Sequence, residues 1–468
     1  MKHEEDTIAA VATPIGEGGI SLIRVSGQGA FDVIDRVFRG KTALKGARSQ
    51  TAHYGYIVDV GGEPVDEVVC TVYRSPHSYT TEDSVEISCH GGVFVTRRVL
   101  ETLLKSGARM AEPGEFTKRA FLNGRLDLSQ AEAVADLIHA NSELSHRSSL
   151  HQLGGRLSAR IKKIREELVE AVSLLELELD FAEEGIEIAN KRRISDRISA
   201  TLSELKTLID SFNVGKYYRE GVKVVILGRP NVGKSSLLNA LLNENRAIVT
   251  DIPGTTRDTI EESISISGVL FRLVDTAGLR EASDTIEKEG IRRTEDQLET
   301  SDLLLFVIDP SQPIDNTELD VLQSVEGRVQ RFSDKCILVL NKLDLISASP
   351  SDEIQCSKLP GGLSFVKLSA LTHEGLDSLK ELLVDQVLSK KLTAADLGVT
   401  VTNVRHKEAL EKAKSHLELA AESLEKGENS EFVSLDLRIA LDFLGEIIGE
   451  VTSEEILNNI FEKFCIGK

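Results

Sequence analysis

The sequence predicts a multidomain α/β protein: an α+β domain at the N-terminus, a discontinuous α-helical domain, and an inserted α/β domain with a P-loop. Three observations support this fold class. Short apolar runs alternate with glycine-bearing turns up to about residue 107, helical periodicity begins near residue 126, and a strand, a glycine-rich loop and a helix follow from residue 222. A chain of 468 residues is long enough for about three domains.

The N-terminal domain is predicted to span residues 1–118. Its β-branched and apolar runs have the length of strands, at 20–25, 54–58, 68–73 and 85–88. A longer segment, 93–105, has the composition of a helix. Strands separated by turns, together with one helix, indicate a compact α+β domain.

The helical domain is predicted in two segments, 119–215 and 389–468, with the P-loop domain at 216–388 between them. Asp127 and Gln130 have the spacing of a capping box, and apolar residues recur at helical steps through 128–138 and 157–179. The chain is helical again from 405 to 464. An inserted domain is tolerated because its termini lie close together. The alternative is two separate helical units flanking the P-loop domain.

Nucleotide binding is predicted by the run GRPNVGKS, which begins at Gly228. Its glycines let the backbone curl so that N–H groups point at phosphate oxygens, while Lys234 neutralises charge and the Ser235 hydroxyl ligates Mg²⁺. The run lies between a predicted strand and a predicted helix, where the helix dipole favours anions. The expected nucleotide-binding residues here are Asn231, Val232, Gly233, Lys234, Ser235 and Ser236.

Three later motifs predict that the nucleotide is GTP. The Gly278 N–H can meet the γ-phosphate, which would make the following loop a sensor of that group. The Asp344 carboxylate can accept hydrogen bonds from guanine N1–H and the N2 amino group, whereas adenine offers none there. The motifs, in chain order, are Asp275, Thr276, Ala277 and Gly278, then Asn341, Lys342, Leu343 and Asp344, then Ser369, Ala370 and Leu371. Together they predict a GTPase.

The usual catalytic glutamine is missing. Ras-type enzymes have a Gln after the DxxG segment to orient water, but here Leu279 follows it. Thr256 is the expected second Mg²⁺ ligand. The Asn231 carbonyl, with the positions of Thr250, Ile252 and Thr255, can enclose a monovalent cation beside the phosphates. The switch residues expected at the nucleotide are Thr250, Asp251, Ile252, Pro253, Gly254, Thr255 and Thr256.

Composition restricts the class of protein and its partners. The formal net charge is −20, and residues 391–468 hold nine Lys or Arg against fifteen Asp or Glu. Binding to RNA therefore needs a local basic patch or a partner. The five cysteines form no CxxC pair, which argues against zinc and a disulfide framework. A polar N-terminus and the lack of a long apolar run predict a soluble, cytoplasmic protein that does not enter a membrane.

Several longer strings resemble the MnmE (TrmE) family of tRNA-modification GTPases. They are DTIAAVATPIGEGGISLIRVSG, SYTTEDSVEISCHGG, GEFTKRAFLNGRLDLSQAEAVADLI, TDIPGTTRD and the final FCIGK. The resemblance covers essentially the whole chain. It implies K⁺ bound by Asn231, Thr250, Ile252 and Thr255, and catalysis by Glu287 in place of the glutamine. It also implies a homodimer whose GTPase domains pair during hydrolysis.

The resemblance further implies that the N-terminal domain binds a tetrahydrofolate, either 5-formyl- or 5,10-methylene-tetrahydrofolate. The matching positions are Arg24, Glu86, Arg125 and Lys468, although the family often has Lys where Arg125 stands. A carboxylate can bind the N–H edge of a pterin, and cations can bind the glutamate tail. The alternative for Arg24 and Glu86 is a structural ion pair. Cys465 is implied to be functionally required, as a nucleophile or a base.

The resemblance implies one biochemical role. With the FAD-dependent partner MnmG, in a heterotetramer, the chain would help to add an aminomethyl or carboxymethylaminomethyl group to C5 of the tRNA wobble uridine. The alternative is an Era-like ribosome-assembly GTPase, which would need a basic RNA-binding module after the GTPase domain. A third possibility is a folate enzyme whose GTPase is only regulatory.

Overall fold

The computed structural model describes residues 6–180, 191–245, 261–275, 301–312, 335–345, 363–388, 399–427 and 429–468. Packing divides the chain into two compact units. The first comprises Met1–Ala135, Gln152–Ile198 and Ser415–Lys468, and the second comprises Asp136–His151 and Ser199–Lys414. Each unit contains a β-sheet and α-helices, so the chain is a multidomain α/β protein.

The described strands are β1 (Ile8–Val11), β2 (Ile20–Ser26), β3 (Phe38–Gly40), β4 (Thr51–Val58), β5 (Pro64–Tyr73), β6 (Ser84–His90), β7 (Arg109–Met110), β8 (Val222–Leu227), β9 (Glu261–Ile266), β10 (Val269–Asp275), β11 (Leu303–Ile308), β12 (Cys336–Leu340) and β13 (Ser364–Lys367). The described α-helices are α1 (Ala30–Val37), α2 (Val93–Lys105), α3 (Glu115–Leu122), α4 (Leu128–Ile138), α5 (Glu143–Leu153), α6 (Arg156–Asp180), α7 (Lys191–Glu220), α8 (Lys234–Asn245), α9 (Leu376–Leu388), α10 (Val404–Glu425), α11 (Ser430–Ile448) and α12 (Glu454–Phe461). Within the described ranges, none of these helices is both long enough and apolar enough to cross a bilayer.

Seven strands form the sheet of the first unit, in the order β3-β4-β5-β6-β2-β1-β7. Neighbouring strands are antiparallel except for β1 and β7. Ile23 and Val25 of β2 pack in one core with residues of α1 and α2. Because side chains alternate along a strand, Arg24 lies on the opposite face, directly across from Glu86 on β6. The four strands and the helix predicted in this domain are confirmed, with strand ends extended by up to four residues.

The predicted capping box is confirmed at the start of α4. The Asp127 N–H donates to Gln130 Oε1 at 3.0 Å, and the Gln130 N–H donates to Asp127 Oδ1 at 3.0 Å. α4 then packs against α12 through a small core that includes Leu128 and Phe461. The predicted helix at 157–179 corresponds to α6, which packs lengthwise on α11.

The sheet of the second unit has the order β13-β12-β11-β8-β10-β9 and is parallel except for its edge strand β9. Its central strands are apolar runs because both of their faces are buried, in two separate cores. The predicted strand at 222–227 coincides with β8, and α8 follows it after a six-residue loop. In a parallel sheet of this kind, ligands bind where the loops leave the carboxyl ends of the strands.

Candidate functional sites

The glycine-rich loop between β8 and α8 has a backbone that only glycine permits at two positions. Gly228 has φ +144°, and a Cβ there would lie 2.4 Å from the Val307 carbonyl oxygen. Gly233 has φ +97°, and a Cβ there would lie 2.3 Å from Asn341 Nδ2. Neither position can accept a larger residue without displacing its neighbours. The loop therefore has the tight curvature that the GRPNVGKS run predicts.

Lys234 and Asn231 occupy different positions in this loop. Lys234 is buried at the start of α8, and its Nζ donates to the carbonyls of Gly228 at 3.0 Å and Arg229 at 2.7 Å. Asn231 is exposed and has φ +65°, so the loop presents a polar side chain to solvent at this position. Ser235 and Ser236 are exposed in the first turn of the helix. These placements suit a bound polyphosphate.

Asn341 connects three of the predicted motifs. Its side chain is almost fully buried, Nδ2 donates to the Val232 carbonyl at 2.9 Å, and Oδ1 accepts from the Ala370 N–H at 3.0 Å. Close by, the Ser369 hydroxyl donates to Asp344 Oδ1 at 2.5 Å. The amide thus brings the glycine-rich loop, the NKLD segment and the SAL segment to one end of the sheet.

Asp309 is a site residue that sequence reasoning missed. It follows β11 and is buried, and its carboxylate accepts from Lys342 Nζ at 2.7 Å and from the Ser311 hydroxyl at 2.6 Å. Burial alone would raise the pKa of Asp309, but hydrogen bonds from Lys342 and Ser311 lower it below its ordinary value. The position was accessible from the sequence, because an Asp directly after an apolar strand stands at the same sheet edge as the P-loop.

Part of the predicted nucleotide site lies outside the described residues. These positions are Thr250, Asp251, Ile252, Pro253, Gly254, Thr255, Thr256, Thr276, Ala277, Gly278 and Glu287. Asp275 ends β10, where its backbone pairs with Ile226 of β8. The start of the DTAG motif is therefore adjacent to the strand that leads into the glycine-rich loop. Leu343 begins a short 3-10 helix, and Leu371 is exposed.

A second site lies on the face of the first unit's sheet opposite the core with α1 and α2. Arg24 donates to Glu86 Oε1 from Nε at 3.0 Å and from Nη2 at 2.8 Å. Arg24 is 12% exposed and Glu86 21% exposed, so this ion pair is largely shielded from solvent. Nη1 of Arg24 is buried and has no hydrogen-bond partner among the described residues. Arg24 and Glu86 therefore form the structural ion pair that was the alternative to folate binding. This ion pair leaves the Nη1 donor of Arg24 unused.

Arg125 and Lys468 extend this cationic site. Arg125 donates from Nη1 to the Tyr79 carbonyl at 2.5 Å. Lys468 is half-buried, and its pKa is lowered by burial first and by the charge of Arg24 second, against an opposing effect of Glu86. Lys468 therefore lies near Arg24 and Glu86, and Arg125 lies over the same Tyr79 ring as Arg24. Three cations against one carboxylate make the site suitable for an anionic ligand.

The C-terminal tail is held at this site by backbone geometry. Ile466 forms an isolated antiparallel bridge with Pro113. Gly467 has φ +97°, and a Cβ there would lie 2.1 Å from the Val11 carbonyl oxygen. Cys465 is exposed, whereas Cys70, Cys89 and Cys336 are buried. Burial raises the pKa of the three buried thiols, to about 12, 11 and 12 respectively.

Two aromatic residues of this second site were missed by sequence reasoning. The guanidinium carbon of Arg24 lies 4.9 Å from the ring centre of Tyr79 and 5.6 Å from that of Phe116. Both rings come from segments quoted for the family resemblance, SYTTED and GEFTKRAF. No periodicity pointed to them because each lies in a turn or a short helix.

Comparison with known proteins relates these sites to one family. The family model "GTP-binding protein TrmE N-terminus" matches residues 7–125, and "MnmE helical domain" matches residues 128–465. Three curated proteins named tRNA modification GTPase MnmE are similar along nearly their whole length. They come from Lachnoclostridium phytofermentans (44% identity, 99% of both chains), Salinibacter ruber (45%, 99% of this chain and 100% of that protein) and Chlorobaculum tepidum (46%, 98% and 97%). The chain belongs to the MnmE family of tRNA modification GTPases.

Proposed function

We propose that this GTPase couples K⁺-assisted GTP hydrolysis to modification of the tRNA wobble uridine. With MnmG in a heterotetramer, it would add an aminomethyl or carboxymethylaminomethyl group at C5, using a one-carbon tetrahydrofolate. The observation that carries the proposal is the Asn341 amide, which joins the glycine-rich loop to the NKLD and SAL segments. This arrangement supports a guanine-nucleotide pocket.

In the nucleotide site, each described residue has a separate task. Backbone N–H groups of the loop from Gly228 to Gly233 bind phosphate oxygens, and Lys234 neutralises their charge. Asp344, oriented by the Ser369 hydroxyl, accepts the guanine N1–H and N2 amino group. Ser235 and Thr256 would hold Mg²⁺.

The absent glutamine is replaced in this proposal by two elements. Asn231, Thr250, Ile252 and Thr255 would hold K⁺, which when bound supplies positive charge at the phosphates. The exposed amide of Asn231 at the mouth of the loop fits this role. Glu287 would orient the attacking water, and pairing of two GTPase domains in the homodimer would complete the site.

In the first unit, the residues fit a folate. The unused Nη1 donor of Arg24, with Arg125 and Lys468, supplies cations for the carboxylates of the glutamate tail. Glu86 holds the Arg24 guanidinium in this position through Oε1. Cys465 would act close to the transferred carbon, since the tail that carries it also places Lys468 at this site.

We also propose the finer domain arrangement and a division of labour. The spans 1–118, 119–215, 216–388 and 389–468 would be the folate domain, the first helical segment, the inserted GTPase domain and the second helical segment. The acidic chain would leave much of the tRNA binding to MnmG. An Era-like role is disfavoured because residues 391–468 carry nine cations against fifteen anions.

The test is a reconstituted reaction with the full chain, MnmG, tRNA and 5,10-methylene-tetrahydrofolate. We expect GTP hydrolysis to be much faster in K⁺ than in Na⁺, and modification to stop when GTP is omitted. Equal hydrolysis in the two salts would refute the cation site. Unchanged modification without GTP would favour a folate enzyme with a regulatory GTPase.

A further inference from the structure

The Tyr79 ring contacts both arginines of the cationic site. The guanidinium carbon of Arg24 lies over the ring at 4.9 Å from its centre, and that of Arg125 lies over it at 4.8 Å. Distances below about 6 Å are those of cation–π attraction. One aromatic side chain thus contacts two guanidinium groups, of which Arg24 is also held by Glu86 and Arg125 by the Tyr79 carbonyl.

Tyr79 itself is held by a buried polar framework. Its hydroxyl hydrogen-bonds to the Thr117 hydroxyl at 2.9 Å, and Thr117 is fully buried in α3. The next residue, Thr80, is also fully buried, and its hydroxyl hydrogen-bonds to that of Ser26 at 2.5 Å. The Asn123 amide donates to the Thr80 carbonyl at 2.7 Å. The loop therefore positions the ring before any ligand binds.

Electrostatics explains why such a ring is needed. Arg24 and Lys468 are partly buried and Arg125 is exposed; the three carry like charges, and Glu86 neutralises that of Arg24. Like charges at low dielectric repel and would push flexible side chains toward solvent. The electron-rich face of an aromatic ring attracts cations without consuming their hydrogen-bond donors. Arg24 Nη1 consequently stays available for an anion.

We propose that Tyr79 is a positioning residue for the anionic tail of the ligand in this site: its ring preorganises Arg24 and Arg125 for carboxylate binding. The inference rests on the proposed folate function and deepens it. The proposed role involves no contact between the ring and the pterin. Its contribution should therefore depend on the ligand having a glutamate tail.

The experiment measures the affinity of the full chain for two ligands, 5-formyltetrahydrofolate and 5-formyltetrahydropteroate, which lacks the glutamate. The variants are Tyr79→Leu, which removes the ring, and Tyr79→Phe, which keeps it. Tyr56→Leu is the matched control, since Tyr56 is an exposed tyrosine of β4 outside the site. We expect Tyr79→Leu to weaken 5-formyltetrahydrofolate about tenfold and to leave the tailless ligand unchanged. Tyr56→Leu should bind both ligands like the wild type, and Tyr79→Phe, which keeps the ring but loses the hydroxyl bond to Thr117, should lose much less affinity than Tyr79→Leu.

The possible outcomes distinguish a failure of the Tyr79 positioning role from a failure of the folate proposal. If the wild-type chain binds neither ligand, the folate proposal is overturned. If the wild type binds and Tyr79→Leu binds equally well, the positioning role is overturned. An equal loss for both ligands would also overturn it, because general damage to the fold lowers both affinities by the same factor. Should Tyr79→Leu not accumulate as folded protein, Tyr79→Met removes the ring with a more adaptable side chain and supports the same comparison.

Discussion

The side-chain amide of Asn341 donates to the backbone carbonyl of Val232 at 2.9 Å, across more than a hundred residues of sequence. Val232 lies in the glycine-rich loop and Asn341 directly after β12. The other end of the amide accepts from the Ala370 N–H. One side chain therefore determines the distance between the phosphate-binding loop and the segments expected to hold the base.

Replacing Asn341 by Ala should weaken both GTP binding and the stability of the second unit. The change leaves the Val232 carbonyl and the Ala370 N–H buried without partners, at about 1–3 kcal/mol for each group. Thermal unfolding and equilibrium binding of GTP would measure the two losses. Asn429→Ala, which removes an exposed helix cap of α11, should lower stability by about 1 kcal/mol and leave GTP affinity unchanged. Unaltered GTP affinity in Asn341→Ala would contradict the bridging role.

Asp344→Asn should change the base preference. The carboxylate accepts two donors of guanine, whereas an amide offers one acceptor and a donor that suits a purine with a carbonyl at position 2, such as xanthine. We expect the affinity for GTP to fall at least tenfold and the affinity for XTP to rise. Competition binding with GTP, XTP and ATP would measure this. Ser369→Ala, which removes only the hydroxyl donor to Asp344, should give a smaller loss. Retained GTP selectivity in Asp344→Asn would refute the base assignment.

Glu287→Ala should slow GTP hydrolysis while leaving GTP affinity nearly intact. A residue that orients the attacking water stabilises the transition state and contributes little to ground-state binding. Loss of such a group typically costs a factor of about 10² to 10⁴ in rate. Single-turnover hydrolysis in K⁺, measured beside nucleotide affinity, separates the two effects. A parallel fall in rate and affinity would assign Glu287 to binding or folding instead.

Gly467→Ala should disrupt the folate site and spare the GTPase. The added Cβ would meet the Val11 carbonyl oxygen, so the tail that carries Lys468 must move. We expect 5-formyltetrahydrofolate affinity to fall about tenfold or more, since one charge-assisted contact is lost. Gly62→Ala is the matched control, because Gly62 also has positive φ but nothing within 4 Å of its added Cβ. Equal folate binding by Gly467→Ala and the wild type would show that the tail position is not needed.

Stability should depend on the ionisation of Glu115. Burial alone would raise the pKa of Glu115, but hydrogen bonds from Arg109 and other donors hold it below the ordinary value of 4.5. A lowered carboxyl pKa stabilises the fold above the ordinary value, and that stability is lost as pH falls through the folded value. The midpoint temperature of thermal unfolding should therefore decrease as the pH is lowered below about 4.5. In Glu115→Gln this decrease should be less steep. Glu63→Gln, at an exposed position, should follow the wild-type profile.

The sequence predicted much of the fold because its signals were local. The strand at 222–227, the helix at 93–105 and the Asp127 and Gln130 capping box all depend on neighbours within a few residues. The roles of Arg24, Glu86, Arg125 and Lys468 came from family resemblance, since no spacing pattern joins positions hundreds of residues apart. Tyr79 was missed because its partners are brought close only by tertiary packing, whereas Asp309 could have been found from its place directly after the apolar strand β11.

Cys465 is exposed while three other cysteines are buried, so a fluorescent label can be directed to the C-terminal tail. Cys70, Cys89 and Cys336 combine burial with a raised pKa, so they present little thiolate to an electrophile. Cys356 lies outside the described residues. In a Cys356→Ser background, a maleimide fluorophore would attach at Cys465, three residues from Lys468. Its emission would then follow the cationic site as folate enters.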